Sequence, residues 1–428
     1  MLTKFEHMKL RYLFLFTLMF FGAGFLFSQD TSGSGCTDPQ ANNYNPLADT
    51  NDGSCTYNPT IYHLDFKYLL SDVVEETSGL IFWNDILWTI NDSGNDPILF
   101  SIDTTTGIIL QQIMVSNAQN IDWESLAQDD DYIYIGDFGN NSGARDDLGI
   151  YKVKKNDIPN SGDASVTSTH ITFSYADFKE IPEKRKYNNF DCEAFICAGD
   201  SLYLFSKNWG NEKTKLYRLP KDEGDYTAEM LKEYDVSGLV CGADYNRESK
   251  EITLVGYTNN NYVPFLWLLF DYYDNNFFSG NKRRIDLLNI QATQTEAIAY
   301  ADGKSGFITS EGSVIFTQSA YGFSTATWTD SLTTGIGVKE VKDFDFVLSP
   351  NPVQKSKLTV FIERLPAGDY QIELFDTSGS LIQISDYKVK TERGSVKVKL
   401  KVGQLKPGLY FVRMRSVHTI VEKKFIKQ

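Results

Sequence analysis

The stretch "DWESLAQDDDYIYIGD" at residues 122–137 contains the pattern that decides the fold. An acidic phrase opens an apolar run, polar residues make a turn, and a second apolar run ends on another polar residue. The same pattern returns as "DCEAFICAGDSLYLFSK" at 191–207 and as "TEAIAYADGKSGFITS" at 295–310. Apolar runs of this length between turn residues predict β-hairpins, and their recurrence predicts a repeated unit.

Each hairpin belongs to a longer unit of four strand-like runs and roughly 50 residues. Four such units follow one another between residues 78 and 288, and a fifth begins at Thr295 with the runs "TEAIAYAD", "SGFITSE" and "SVIFTQS". The run "IYHLDFKYLL" at 61–70 is available as the outer strand of the fifth unit, which would close a ring. Tandem four-stranded units are typical of β-propellers. We therefore predict an all-β fold, with a β-propeller over residues 58–335 that has five blades, or six if another blade lies within 124–193.

The first 28 residues have the form of an export signal. Lys4, Lys9 and Arg11 precede an apolar run that ends near Phe27, and a short apolar run at this position is typical of a cleaved signal peptide. No later stretch has the ~20 apolar residues that a membrane-spanning helix needs. We therefore expect residues 1–28 to be removed, leaving a secreted chain with no transmembrane segment, in a compartment where disulfides form.

Residues 36–57, "CTDPQANNYNPLADTNDGSCTY", have too few apolar side chains to form a core. We predict a Cys36–Cys55 disulfide that holds the segment together; the remaining three cysteines allow at most one more bridge. The segment resembles a short cysteine-bounded repeat of secreted multidomain bacterial proteins. Its oxygen-bearing side chains before a glycine are Asp49, Asn51 and Asp52. They either bind calcium or form a turn-rich spacer.

Residues 346–428 alternate apolar and polar positions over about seven short runs, which predicts a small C-terminal β-sandwich. The phrases "SPNP" at 349–352, "ELFDTSGSLI" at 373–382, "LKPGLYFVRM" at 405–414 and the terminal "KKFI" resemble the C-terminal sorting domain of the type IX secretion system. The resemblance implies that the type IX machinery is a partner and that the protein is secreted or attached to the outer cell surface. It implies no activity for this domain.

The charge is distributed unevenly along the chain. The formal net charge is −15, while residues 346–428 carry 15 Lys and Arg against 7 Asp and Glu, which is +8, and the first 28 residues carry +2. Residues 29–345 therefore carry −25. So acidic a body argues against nucleic acid as a partner and is compatible with divalent cations. An acidic surface with no specific use explains the same charge.

Acidic and amide side chains recur where the first strand of each blade begins and where the second strand ends. These two positions lie on the same face of a propeller, beside its central channel. The rim residues that we predict are Glu76, Asp92, Asp122, Glu124, Asp137, Asn140, Asp191, Glu193, Lys207, Asn208, Asp244 and Glu296. Carboxylates this close together need protons, cations or a metal, and a set of oxygen ligands favours calcium. Alternatively, each acid caps the backbone of its own strand.

The phrases "ETSGL", "DWESLA", "DCEAF" and "QTEAIA" resemble those of secreted bacterial propellers and, more distantly, of the SdiA-regulated and esterase-like phytase propellers. That resemblance implies a propeller and bound calcium but no activity. Two functions stay open. The rim binds an unidentified extracellular ligand, or it is a calcium-dependent hydrolase of a phosphoester, ester or lactone, with a carboxylate as base. The sequence has no G-x-S-x-G nucleophile motif.

Overall fold

The computed structural model describes residues 33–179, 187–290, 293–313, 316–330, 345–365, 368–376, 381–389, 393–415 and 420–428. The predicted signal peptide lies outside the described residues. The chain divides into two compact units, Met1–Ser331 and Leu332–Gln428. Within the described ranges, no helix has the length and the hydropathy needed to cross a bilayer.

The larger unit consists of five four-stranded antiparallel blades. The strands that precede the ring are β1 (Gly33–Gly35), β2 (Ala48–Asn51), β3 (Thr60–Ile61) and β4 (Asp65–Leu69). Blade one contains β5 (Thr77–Trp83), β6 (Ile86–Asn91), β7 (Ile98–Ile102) and β8 (Ile109–Val115). Blade two contains β9 (Trp123–Gln128), β10 (Tyr132–Asp137), β11 (Gly149–Lys154) and, after β12 (Ala164–Val166), β13 (Ser168–Tyr175).

The remaining blades have the same antiparallel order. Blade three contains β14 (Asp191–Ala198), β15 (Ser201–Lys207), β16 (Lys213–Pro220) and β17 (Gly224–Asp235). Blade four contains β18 (Leu239–Asn246), β19 (Glu251–Tyr257), β20 (Pro264–Phe270) and β21 (Asn281–Asp286). Blade five contains β22 (Thr295–Asp302), β23 (Ser305–Ser310) and β24 (Ser319–Ser324), followed by helix α1 (Ala326–Thr329). Short 3-10 turns lie at Asp72–Val74, Lys155–Asp157, Phe277–Ser279 and Leu288–Ile290.

The ring is closed by the N-terminal strand β4, which pairs antiparallel with β24 as the fourth strand of blade five. The inner strands β5, β9, β14, β18 and β22 each contact the next, and β22 contacts β5. The ring therefore has five blades. In its described residues, the long interval between 124 and 193 contains the outer strands of blade two and no sixth blade. Strand β13 of blade two pairs with β17, which joins blades two and three into one sheet.

The inner strands are buried along almost their whole length, as in β9 and β14, because neighbouring blades cover both of their faces. Large side chains such as Trp88, Trp123, Tyr134 and Phe195 are fully buried between blades. The third strand of blade five differs from the prediction. The run "SVIFTQS" at 313–319 was expected to form it, but β24 begins only at Ser319. In the described part of this run, Ser313 and Phe316 form a tight turn with a backbone hydrogen bond.

The cysteine-bounded segment packs against blade four. The Cys36–Cys55 disulfide is present as predicted. Asn51 donates from its amide to Asp271 and to Asn281, while its side-chain oxygen accepts from Gly53 N at 3.0 Å. Asp52 accepts from Ser54 N at 2.9 Å, and Asp49 accepts only from the neighbouring Thr50 hydroxyl. The hydrogen bonds of Asn51 fix this turn against blade four, and calcium binding by Asp49, Asn51 and Asp52 stays a prediction.

The glycine of this turn is explained by packing. Gly53 has φ of +72°, and a side chain on it would overlap the carbonyl oxygen of Ser279 in blade four. A glycine is the residue that fits both constraints. The three cysteines outside this segment, Cys192, Cys197 and Cys241, are buried and form no disulfide.

The smaller unit has the seven strands that the alternation predicted. They are β25 (Asp345–Ser349), β26 (Lys357–Leu365), β27 (Gly368–Phe375), β28 (Leu381–Val389), β29 (Arg393–Lys401), β30 (Gly408–Arg415) and β31 (Ile420–Lys427). One sheet has the order β25-β26-β29 and the other β28-β27-β30-β31. A single apolar core, with Phe346, Leu374 and Phe425 fully buried, lies between them. The unit is a small β-sandwich.

Candidate functional site

Every inner strand has a β-bulge at the same level, close to its start. The register of each inner strand against the second strand of its blade skips one residue there. The skipped residues are Ser78, Glu124, Glu193, Cys241 and Glu296. Because a bulge redirects the side chain of the extra residue, these five form one layer around the channel. Three of the five are carboxylates, which locates the predicted acidic rim on a repeated backbone feature.

Blades one and two bring three carboxylates together. Oxygen atoms of Asp92, Asp122 and Glu124 all lie within 4.8 Å of one another; we call this set the first acidic group. Glu124 is only 5% exposed, and among the described residues its carboxylate receives no hydrogen bond and forms no ion pair. The carboxylate of Asp92 accepts one hydrogen bond among the described residues, from the backbone N–H of Ser93. Carboxylate oxygens that converge with so few donors are suited to a hard cation.

The electrostatics of the first acidic group are unfavourable without a cation. Burial raises the pKa of Glu124 well above its usual value, and the charges of Glu193 and Asp92 add to this. Burial, followed by the charges of Asp92 and Asp191, raises the pKa of Asp122 to about 6. Burial likewise raises the pKa of Asp92. Each shift reflects the cost of holding negative charge in a desolvated place beside other negative charges.

Blades three, four and five form a second cluster. One ligand atom each of Glu193, Cys241 and Glu296 lies within 4.8 Å of the others; we call this set the second group. Lys207, at the end of β15, donates from its ammonium to Glu193. Burial alone lowers the pKa of this lysine, but the neighbouring Cys241, Glu193 and further acidic groups outweigh burial and raise it well above its usual value. The ion pair with Glu193 favours the charged form of Lys207.

Asp191 and Asp137 form hydrogen bonds that hold the loops around the channel mouth. Asp191 is 0% exposed and accepts from Asn140 N at 2.6 Å, Cys192 N at 3.0 Å and Trp209 Nε1 at 2.7 Å. Asp137 accepts from Asp122 N and from the Arg145 guanidinium, both at 3.0 Å. The Asn140 side chain accepts from Arg145 N at 3.0 Å. These oxygens already accept hydrogen bonds from protein donors. Asp191 caps the backbone N–H of Cys192 at the start of its own strand, as the capping alternative predicts.

Three polar atoms at the ends of second strands are buried without a partner among the described residues. They are Asn91 Oδ1, Asn208 Nδ2 and Ser310 Oγ. Asn208 is placed by its other side-chain atom, which accepts from Ser206 Oγ at 2.7 Å. Buried polar groups are nearly always paired with protein, water or a ligand. Asn91 and Ser310 are the last residues of β6 and β23, and Asn208 follows β15, so all three lie at the same end of the blades as the two groups.

Two predicted rim residues do not occupy the bulge position: Asp244 lies at the opposite channel mouth, and Glu76 lies at the predicted mouth but two residues before the bulge. Asp244 lies near the far end of β18, where it accepts from Tyr300 N at 2.7 Å and lines a cavity of about 470 Å³ with Arg247 and Lys155 at the opposite channel mouth. Its place in blade four is taken by Cys241, the bulged residue. Glu76 is exposed and accepts from Asn95 Nδ2 at 2.6 Å; it corresponds to Asp122 rather than to Glu124, because Ser78 is the bulged residue of its blade.

The sequence reasoning missed Cys241 because only acids were sought at the aligned position. The signal was available in the phrase spacing, since "LVC" at 239–241 stands where "DCE" stands at 191–193. Glu311 also belongs to the mouth. Gln294 donates to Glu296 at 3.3 Å and to Glu311 at 2.9 Å, and burial, followed by the charges of Glu296 and Asp92, raises the pKa of Glu311 to about 9.

The smaller unit can be identified by comparison with known families. Its residues match the model of the "Secretion system C-terminal sorting domain" over 348–428. Residues 348–428 are a sorting domain of that family. Such domains are typical of secreted proteins attached to the cell surface, so this chain is secreted or attached to the outer surface and is handled by the type IX secretion machinery. The match covers the C-terminal unit and does not extend into the propeller.

No curated protein matches the sequence, and the similarity to solved structures is distant. An exo-β-1,3-galactanase from Phanerochaete chrysosporium is 10% identical, with a TM-score of 0.36 over 89% of this chain and 98% of that one. A putative 6-phosphogluconolactonase from Bacteroides uniformis is 12% identical, with a TM-score of 0.32 over 77% and 90%. The WD40 domain of Toxoplasma gondii coronin is 8% identical, with a TM-score of 0.30 over 85% and 84%. At these identities no activity transfers to this chain.

Proposed function

We propose that the propeller is an extracellular binding module that holds one calcium ion at the first acidic group. The observation that carries the proposal is the convergence of Asp92, Asp122 and Glu124 within 4.8 Å, with Glu124 buried and lacking a donor among the described residues. Calcium takes oxygen ligands from carboxylates and amides, and its charge would offset the repulsion that raises the pKa values of these acids. The similarity of the acidic phrases to phytase-type propellers supports the same ion.

The partial exposure of the first acidic group indicates how a ligand would bind. Asp92 and Asp122 are half-buried and Glu124 is buried, so an ion held by all three lies toward the solvent side of the mouth. An oxygen-rich extracellular ligand would complete its coordination there. The alternative hydrolase would use a carboxylate of the same group as its base, because the described histidines lie away from the inner strands. Of the described histidines, His170 is on outer strand β13, stacked on Tyr151 at 4.6 Å, and His63 lies between β3 and β4. Neither belongs to an inner strand.

Equilibrium dialysis of the chelator-treated protein against calcium, followed by elemental analysis, tests the proposal. We expect one ion per chain. At a free calcium concentration 100 times the Kd, the stabilisation should be about 2.7 kcal/mol. Glu124→Gln should abolish binding, whereas Asp103→Asn, in an exposed turn of blade one, should leave it unchanged. Absence of bound calcium at millimolar concentration would contradict the proposal.

A further inference from the structure

The channel mouth contains two clusters of potential metal ligands, and one of them already has a positive charge. The first acidic group has no Lys or Arg in an ion pair with it among the described residues. The nearest guanidinium, that of Arg145, is bonded to Asp137 at 3.0 Å, to Asp147 at 2.9 Å and to the Gly139 carbonyl. In the second group, by contrast, the ammonium of Lys207 forms an ion pair with Glu193.

Lys207 is held tightly in this place. It is 4% exposed, and its ammonium lies 5.0 Å from the ring centre of Trp209 and 5.4 Å from that of Tyr257. A desolvated ammonium between aromatic faces and a carboxylate is strongly stabilised by both. The positive charges felt by Glu193 and Cys241 come from this same lysine.

The blade repeat shows what Lys207 replaces. In each blade, the inner-strand residue just before the bulge pairs with a residue of the second strand. The equivalent position in every blade is the residue that comes immediately after that second-strand partner. The residues at this equivalent position in blades one to five are Asp92, Phe138, Lys207, Tyr257 and Glu311. Two blades therefore supply a carboxylate where blade three supplies an ammonium. Of the three charged residues at this position, Asp92, Lys207 and Glu311, only Lys207 is positive.

We propose that Lys207 is a tethered cation that fills the second group, so that the channel mouth binds one divalent ion and not two. This inference rests on the proposed calcium site and sets its stoichiometry. With the lysine in place, an ion near Glu193 and Glu296 would meet a fixed like charge in a desolvated setting. Without it, two carboxylates and the Cys241 thiol would be open to a second ion, and the thiol would favour a soft one.

The test compares the protein with Lys207→Gln, with Lys207→Gln/Glu193→Gln and with the control Lys215→Gln. Lys215 is a matched control because it is a buried lysine of the same blade that pairs with a carboxylate, Asp177, at 2.6 Å. Bound calcium is counted by equilibrium dialysis. Cadmium is the second probe, because a thiolate–cadmium absorption band reports an ion on Cys241 specifically, and Cys241→Ser in the Lys207→Gln background should remove that band.

We expect one calcium ion and no cadmium–thiolate band for the unaltered protein and for Lys215→Gln. Lys207→Gln should bind two divalent ions and show the band. The double variant, which removes one carboxylate of the second group with the lysine, should return to one calcium ion. Zero ions on the unaltered protein would overturn the proposed function; one ion on it and one on Lys207→Gln, with no band, would overturn this inference alone.

Misfolding of Lys207→Gln is also informative. Removing one partner of a buried pair costs more than removing both. If this variant fails to fold without a cation, a saturating divalent ion should restore it. If Lys207→Gln stays unfolded in saturating calcium and in saturating cadmium while the double variant folds, a metal ion cannot substitute for the ammonium, and the inference is overturned.

Discussion

Asp191→Asn tests whether Asp191 stabilises the channel mouth rather than binding calcium. The substitution keeps one oxygen, which can still accept from Asn140 N and Cys192 N. It replaces the other oxygen with an NH2 group that faces the indole N–H of Trp209, now 2.7 Å from the carboxylate. A hydrogen bond to a charged group contributes ~1.5–3 kcal/mol, and leaving a buried donor unpaired has a similar cost. Since burial already disfavours the charge of Asp191, we expect a net loss of about 2–3 kcal/mol.

Urea unfolding monitored by tryptophan fluorescence measures this loss. All six tryptophans precede residue 331, so the signal reports the propeller unit and not the sorting domain. The midpoint should fall with no change in the slope, while the calcium stoichiometry stays at one. Asp103→Asn is the control, because asparagine can keep the turn bonds to Thr105 and Thr106. Unchanged stability of Asp191→Asn together with lost calcium binding would show that Asp191 is a ligand and would refute this reasoning.

Three further outcomes are expected. Glu124→Gln should leave the calcium-free propeller as stable or more stable in urea, because it removes a buried charge that has no donor, and any loss comparable to that of Asp191→Asn would contradict its role as a ligand. Gly139→Ala should weaken calcium binding at least tenfold, measured by dialysis, because its methyl group would overlap the carboxylate oxygens of Glu124 and Asp122. In chelator, thermal stability should fall as pH rises, because carboxyl groups whose pKa is raised in the folded state stabilise the fold fully only below their unfolded pKa near 4. That contribution is lost through pH 6 for Asp122 and through pH 9 for Glu311. Saturating calcium should flatten the profile, and a chelator profile that rises with pH would contradict the shifts.

Most of the fold was predictable because each blade repeats one pattern of alternation and turns. The strand runs of blades one to four and the closing strand near residue 65 were predicted, and so were the seven strands of the sandwich. The exception is the third strand of blade five, where "SVIFTQS" has the composition of a strand but forms a turn at Ser313. Composition over seven residues does not distinguish a strand from an apolar turn; the pairing partner decides.

The candidate site was less predictable because it depends on bulges. A bulge shifts one residue out of register, and nothing in the alternation marks it. Aligning the blades by their acids therefore placed Asp244 at the mouth instead of Cys241, and equated Glu76 with Glu124. Nor does the sequence distinguish a free carboxylate from a bonded one. Asp191 and Glu124 stand in nearly the same phrase, yet one has three donors and the other has none among the described residues.

The pairing of β4 with β24 makes the ring depend on both ends of its sequence. The two strands are roughly 250 residues apart, and bringing such distant segments together costs on the order of 5 kcal/mol of chain entropy. The cysteine-bounded segment next to β4 is itself fixed to blade four through Asn51 and Asp271, and β3 pairs with β21. Once these contacts form, β4 is confined near its partner at a high effective concentration. During export the chain emerges gradually, so blade five can be completed only after residues near 320 have emerged. The disulfide-held segment thus keeps the N-terminal strand close to the place where the ring is completed.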